Sequence, residues 1–293
     1  MKMLNSPLWW QGGKGRIAKY IIALFDDHVT YVEPFGGGAA VLLNKEPSKV
    51  EVYNDINGDV VNFFQVLADP DTYDEFVRRV SLLPWSRRLF NEARTDVWQT
   101  MDPVRRAALW FVMARQSFGG DMGNSWGMAV SHHARGMAGV VASWLSTIER
   151  LPEIHARLQR VQFECYDWRI VLDSYDTPKT LFYLDPPYIL EARRSGEYDH
   201  EMSVEDHQDL IDMILHMKGK ILISGYPHPV YFQLDANGWD RYEFDLACQT
   251  VGKTRGTGLK GKGSSFKDGR KQRRTDCLWL NYKPKEEPGE PIA

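Results

Sequence analysis

Apolar positions along the chain change period repeatedly. Runs of four to six residues rich in β-branched and aromatic side chains fall at Val29–Glu33, Val50–Asn54, Val161–Cys165, Leu181–Leu184, Lys220–Ser224, Tyr242–Leu246 and Cys277–Tyr282. Between them, apolar residues recur at three- and four-residue spacing. That spacing predicts helices at Gly15–Phe25, Ala39–Asn44, Asp59–Leu67, Pro103–Ser117, Ala142–Arg160 and Val204–Met217. The last begins at Ser203 with Asp206 three positions on, the spacing of a capping box. Strands alternating with helices predict an α/β fold: a largely parallel, Rossmann-like sheet covered by helices on both faces.

The spacing is uneven. More than a hundred residues separate the second and third strand candidates, where an αβ step needs only a few tens. The excess predicts an inserted, mostly helical lobe at 68–160, with a core domain formed by 1–67 and 161–282 and a disordered tail at 283–293. The lobe contains a glycine-rich stretch from Gly119 to Gly127. Its tryptophans, Trp85, Trp98, Trp110, Trp126 and Trp144, are expected in the core.

Composition is that of an ordinary soluble globular chain: 43% hydrophobic and 26% charged over 293 residues. The longest apolar run, Ala107 to Ala114, is too short to span a bilayer. Cys165, Cys248 and Cys277 lie far apart and form no disulfide framework and no metal knuckle. His132-His133 lacks the spacing of a helical metal pair, so no metal site is expected. These features together predict a cytoplasmic protein, monomeric by default, with no membrane association and no obligate protein partner. Charge alters the picture in one place. Gly252 to Arg274 carries nine Lys/Arg and one acid, Asp268, within a chain of net charge -3. Glycines interleave those cations, the composition of a loop that wraps a phosphate backbone.

Two constellations carry chemistry. In Tyr31-Val32-Glu33-Pro34-Phe35-Gly36-Gly37-Gly38 a strand ends at an acid and three glycines follow. Such glycines let a ligand approach the backbone at the carboxyl edge of a parallel sheet. Asp55, nineteen residues after Gly36, ends the second strand, where an acid accepts from ribose hydroxyls. Glu33 would repel a pyrophosphate, so the pattern favours an adenosine-type cofactor with a cationic end. In Phe182-Tyr183-Leu184-Asp185-Pro186-Pro187-Tyr188 an apolar strand delivers an acid, two prolines and an aromatic ring. The prolines stiffen the turn. Asp185 and the Pro186 carbonyl then offer two acceptors, which suit an amino group with two N–H bonds. Tyr188 offers a face for a planar base.

At these residues the chain resembles the Dam-like, α-group DNA adenine-N6 methyltransferases, over about Leu8 to Tyr282. Trp10-Gln11-Gly12-Gly13-Lys14 is similar to the family's N-terminal motif, Glu33 to Gly38 to its cofactor loop, Asn54-Asp55-Ile56-Asn57 to its ribose motif, and Asp185-Pro186-Pro187-Tyr188 to its catalytic motif. The resemblance implies S-adenosyl-L-methionine as cofactor and double-stranded DNA as partner. It implies Trp10, Gly13, Lys14, Glu33, Pro34, Phe35, Gly36, Gly37, Gly38, Asp55, Asp167 and Asp185 around the cofactor. It implies Asp185, Pro186, Pro187 and Tyr188 at the reacting amine. Trp168 departs from the smaller aromatic residue expected after Asp167. For DNA, Arg87, Arg88, Arg115 and Asn124 are candidates at base edges, and Lys260, Lys262, Arg270 and Lys271 at phosphates. Competing readings keep the same chemistry on RNA adenine or a protein amide, or take the chain as a decayed DNA-binding scaffold.

Overall fold

The computed structural model describes residues 3–10, 12–120, 122, 125–189, 200–247 and 273–285. Among the described residues seven strands make one sheet: β1 (Thr30–Glu33), β2 (Val50–Asn54), β5 (Gln162–Glu164), β6 (Thr180–Leu184), β7 (Lys220–Gly225), β8 (Asp240–Ala247) and β9 (Arg273–Leu280). Their order is β5-β2-β1-β6-β7-β9-β8. The first five run parallel, and β9 lies antiparallel between β7 and β8. A short hairpin, β3 (His133–Ala134) and β4 (Met137–Ala138), stands apart.

From β1 the chain steps outward through β2 to β5, then returns to β6 on the other side of β1. The β1–β6 border is therefore a topological switch point, where loops diverge and leave a crevice at the strands' carboxyl ends. The loops carrying Gly36–Gly38 and Asp185–Tyr188 open from the two strands of that border.

Alternation along the strands fills two cores. Tyr31, Tyr53, Leu181, Tyr183 and Leu222 face one side. Val32, Val52, Phe182, Leu184, Ile221 and Ile223 face the other. Period-two geometry explains the split, and burial on both faces explains why these strands read as continuous apolar runs. The second core is covered by α8 (Trp168–Tyr175) and α9 (Val204–Ile214) through Val171, Leu172, Leu210, Ile211 and Ile214. The Ser203–Asp206 capping box of α9 is formed.

The first core extends through α1 (Ala18–Ala23), α2 (Gly58–Ala68), α3 (Pro70–Ser81), α4 (Arg87–Asp96), α5 (Pro103–Gln116), α6 (Gly139–Ile148) and α7 (Leu151–Leu158). Phe63 of α2 stacks on Phe111 of α5 at 5.3 Å and meets Phe76 of α3 at 5.8 Å, and Phe111 meets Trp144 of α6 at 5.2 Å. The helices of 68–160 thus share one apolar core with a face of the sheet. A short α10 (Phe232–Ala236) follows β7.

Four expectations are corrected. Ala39–Asn44 forms irregular turns, and Ala39 itself takes a φ of 54°, which no α-helix contains. Ala142–Arg160 is two helices, because Pro152 can occupy only the first turn of a helix and so starts α7. Gly15–Phe25 is helical only at Ala18–Ala23. Trp98 is 61% exposed, with the Arg106 guanidinium over its ring at 5.5 Å. Trp110 and Trp144 are buried, while Trp85 and Trp126 are half-buried, 6.3 Å apart. Among the described residues, no helix is long and apolar enough to cross a membrane.

Candidate active site

Asn54, the last residue of β2, ties three loops together. Its Nδ2 donates to the Pro34 carbonyl at 2.8 Å and to the Tyr166 carbonyl at 3.0 Å, and its Oδ1 accepts from the Tyr166 N–H at 2.9 Å. A buried amide with both ends satisfied is a rigid joint, since breaking it would strand polar groups away from water. The joint fixes the turns after β1, β2 and β5 relative to one another.

The glycine turn is packed from beneath. A Cβ on Gly36 would lie 2.2 Å from the Tyr53 ring. Gly37 has a φ of 44°, its carbonyl accepts the Tyr53 hydroxyl at 2.7 Å, and its N–H donates to Asp55 Oδ2 at 2.8 Å. The other oxygen of Asp55 accepts from the Asn57 N–H at 2.9 Å. Burial pushes the Asp55 pKa up, against those two N–H bonds. The Trp10 side chain lies over Gly37 and Gly38, where added Cβ atoms would meet its indole Nε1 at 2.4 Å and its Cβ at 2.9 Å. Protein packing alone therefore demands these glycines, beside any need for close approach by a ligand.

Above the turn is a cavity of about 370 Å³. Every residue assigned above to the cofactor lines it, from Trp10 to Asp185, as do Pro186 and Pro187. Phe35 and Trp168 face each other at its wall, ring centres 6.3 Å apart. Asp167 caps α8 by accepting from the Arg169 N–H at 2.9 Å, and Arg169 bridges onward to Asp206 and Asp209 at 2.9 and 2.8 Å. Glu33 is 2% exposed and accepts the Tyr31 hydroxyl at 2.5 Å. Burial pushes its pKa up to about 8.

Asp185 leaves β6 beside Ser224 of β7, one step past the Leu184–Ile223 pair. Lys14 Nζ meets both its oxygens, at 2.7 and 2.8 Å, and Ser224 Oγ donates to Oδ1 at 2.6 Å. Burial works against the Lys14 ammonium, but Asp185, Tyr183 and Asp276 together outweigh it, Asp185 foremost, and hold the pKa above the ordinary lysine value. Lys14 also sits 4.7 Å over the Tyr188 ring, whose edge meets Tyr226 at 4.4 Å. Tyr188 is buried beside the cavity and is not one of its lining residues.

The candidate DNA-contacting residues do not gather in one place. Arg87 is exposed and lies 5.0 Å over the Trp126 ring. Arg88 is exposed and pairs only loosely with Glu92 at 3.5 Å. Arg115 is 2% exposed: it stacks on Trp9 at 4.4 Å and donates to Ser143 Oγ at 2.8 Å, so here it reaches no base edge. Asn124, Lys260, Lys262, Arg270 and Lys271 lie outside the described residues, as does most of the basic segment. Among the described residues no cluster of three or more His, Cys, Asp or Glu is placed to hold a metal ion.

Sequence reasoning overlooked Ser224, His207 and Tyr231. Ser224 had a signal, a polar residue ending an apolar strand. His207 and Tyr231 had none beyond their side-chain type.

The family model of the D12 class N6 adenine-specific DNA methyltransferases matches residues 10–237. The DNA adenine methylase of Vibrio cholerae serotype O1 is 29% identical over 122 residues, 41% of this chain and 44% of that protein. Those of Escherichia coli K12 and Salmonella typhi are each 28% identical over 123 and 124 residues, with the same shares covered. The chain thus spans less than half the length of the curated relatives it matches. A solved rRNA methylase from Streptococcus thermophilus aligns with 95% of this chain and 98% of its own at 10% identity and a TM-score of 0.32, a likeness too slight to argue from. The family match takes in the glycine turn, Asp55 and the whole Asp185–Tyr188 segment, and the chain belongs to the D12 class of N6 adenine-specific DNA methyltransferases.

Proposed function

We propose that this protein transfers a methyl group from S-adenosyl-L-methionine to the N6 amino group of an adenine flipped out of double-stranded DNA. The observation that carries the reading is Asp185 at the cavity wall, gripped by Lys14 and Ser224, with the stiff Pro186-Pro187 turn directly after it.

The cavity suits such a cofactor. Asp55 and Asp185, with Glu33 once it ionises, favour a molecule with a cationic centre and ribose hydroxyls, and Phe35 and Trp168 offer apolar faces to an adenine ring. The cofactor supplies an electrophilic methyl group on a good leaving group, so the chain's own residues need supply only position and charge. Asp185 and the Pro186 carbonyl take the two N–H bonds of the amine and leave its lone pair free to attack. They also stabilise the positive charge that grows on nitrogen. Lys14 and Ser224 fix the carboxylate in advance, so less reorganisation is left for the reaction itself. Tyr188 is the aromatic ring nearest the amine acceptors, and it would offer a face to the extruded base once the ring moves out from under Lys14 and away from Tyr226.

In this reading 1–67 and 161–282 form the catalytic unit, the helices of 68–160 present the target-recognition surface, and the basic stretch 252–274 tracks phosphates. A methyl-labelled donor offered with duplex DNA, RNA and a protein mixture side by side tests it. Label in DNA adenine is expected. Label in RNA or protein alone overturns the substrate, and no label anywhere overturns the activity.

A further inference from the structure

The Asp185–Tyr188 turn is braced from behind as well as from the cavity side. His207, on α9, is fully buried. Its Nε2 lies 3.0 Å from the Pro187 carbonyl, and its Nδ1 lies 3.0 Å from the Tyr231 hydroxyl. Tyr231 follows β7 and stacks flat on Trp279 of β9, 4.9 Å away and 14° from parallel. Both polar ends of a buried imidazole are thus engaged, by partners anchored on different elements.

This arrangement has a direction. A carbonyl can only accept, so Nε2 must carry the proton. In a neutral ring Nδ1 is then an acceptor, and the Tyr231 hydroxyl donates to it. Burial pushes the His207 pKa down to about 4, the neighbouring Asp206 favouring charge and His228 opposing it. The ring is therefore neutral at ordinary assay pH. Prolines explain why the brace is needed. Pro186 and Pro187 have no N–H, so at the two middle positions of the turn only the carbonyls can serve as backbone anchor points.

We infer that His207 is a positioning residue for methyl transfer: through the Pro187 carbonyl it sets the orientation of the Asp185-Pro186-Pro187 turn, with Tyr231 fixing the tautomer that can do so. The inference rests on the function proposed above. His207 touches no substrate. It restrains the peptide next to the one whose carbonyl, from Pro186, receives the amine.

The test uses the full-length protein and three variants. His207→Leu removes the donor, His207→Gln keeps an N–H that can reach the carbonyl, and Tyr231→Phe frees Nδ1. A misplacement of this kind costs on the order of 10–100-fold in rate. Turnover on DNA should therefore fall by about that much in His207→Leu and by less in Tyr231→Phe. His207→Gln should recover most of it. Cofactor affinity, and fluorescence from 2-aminopurine placed at the target position, should change less than about twofold, because flipping does not need the amine acceptor. Undiminished turnover in His207→Leu overturns the inference. So does equal loss in the Leu and Gln variants that tracks their melting temperatures. If His207→Leu does not fold, nitrogen-15 NMR of the wild-type imidazole still decides: the Nε2–H tautomer is expected, and the Nδ1–H tautomer contradicts the brace. A wild-type protein that methylates no DNA, yet shows the Nε2–H tautomer, would remove the function and leave the geometry standing.

Discussion

The carboxyl edge of the sheet and the helical segment 68–160 use polar side chains in opposite ways. At the sheet edge Asn54 and Asp55 bond to loop backbone, Asp185 bonds to Lys14 and Ser224, and Asp55 and Asp185 line one cavity. In the helices, cations are spent on local pairing and ring stacking. Arg79 pairs with Glu75, Arg105 with Asp96 and Arg106 with Asp59, while Arg115 and Arg87 lie over Trp9 and Trp126. A strand end fixes where its side chain points, and several parallel strands deliver their ends to one place. A helix presents side chains all around its axis, and packing decides their fate. Chemistry is therefore readable at the sheet edge, and a count of arginines in the helices identifies no DNA-reading residue.

The sharpest break in this contrast comes from paired substitutions. Asp185→Ala should cost at least about 10²–10³-fold in turnover, the scale of losing an electrostatic donor or acceptor at a reacting centre. Arg88→Ala, which removes only a loose surface pair, should shift stability by less than about 0.5 kcal/mol in urea unfolding. An equal effect of both on turnover would mean that the helices carry as much of the catalysis as the sheet edge.

Gly36→Ala tests the packing beneath the turn. Its Cβ would collide with the Tyr53 ring, and the overpacking should destabilise by roughly 1–3 kcal/mol, read as a lowered Tm. Gly119→Ala, a glycine at a φ of 74° with open space around the added methyl, should cost about 1 kcal/mol from backbone strain alone. Reversal of that order would contradict the assignment of Tyr53 as the constraint.

Arg115 sharpens the comparison from the other side. Its guanidinium is buried on Trp9 with Nε unpartnered, and burial holds its pKa down to about 9. Replacing a buried charge with an apolar side chain of similar volume is often neutral or stabilising. Arg115→Met should therefore leave unfolding unchanged or raise its free energy by about 1 kcal/mol. A large loss would show that the Ser143 contact outweighs desolvation.

A pH dependence follows from Glu33. Its pKa rises from an ordinary 4.5 to about 8 on folding. Its contribution to stability is therefore complete below about pH 4.5 and is lost as pH climbs through 8. Binding of a cation favours the ionised carboxylate, so cofactor affinity should rise with pH towards 8, by at most about tenfold per unit. Calorimetry across pH 6–9 should show that rise in the wild type and a flatter line in Glu33→Gln. A flat wild-type line would remove Glu33 from the cationic end of the ligand.

The central strands were legible in the sequence because β1, β2, β6 and β7 are short runs rich in apolar residues, and β2 matches its expected bounds, Val50–Asn54. The residues assigned to the cofactor were legible because their motifs sit mostly at strand ends, and all of those residues line the cavity, whereas Tyr166, Arg169 and Met202, which also line it, were not read. Helices α3 and α4 were passed over, although Asp69-Pro70 is a cap followed by a first-turn proline. Their apolar stripes are thin, with Phe76, Val80, Phe90 and Ala93 buried among many charges. The turn at Ala39–Asn44 misled because its apolar spacing imitates a helix while Gly37 and Ala39 take positive φ. Ser224, His207 and Tyr231 were hidden for another reason: their partners lie 20 to 39 residues away, and only the folded sheet brings them together.

One measurement bears most directly on the central claim: nucleoside mass spectrometry of methylation-free duplex DNA incubated with S-adenosyl-L-methionine and either the wild-type protein or Asp185→Ala. The account predicts N6-methyladenine from the wild type and none above background from the variant, with both proteins folded and binding cofactor. N6-methyladenine at similar levels in both, or methylation of cytosine in place of adenine, would contradict it.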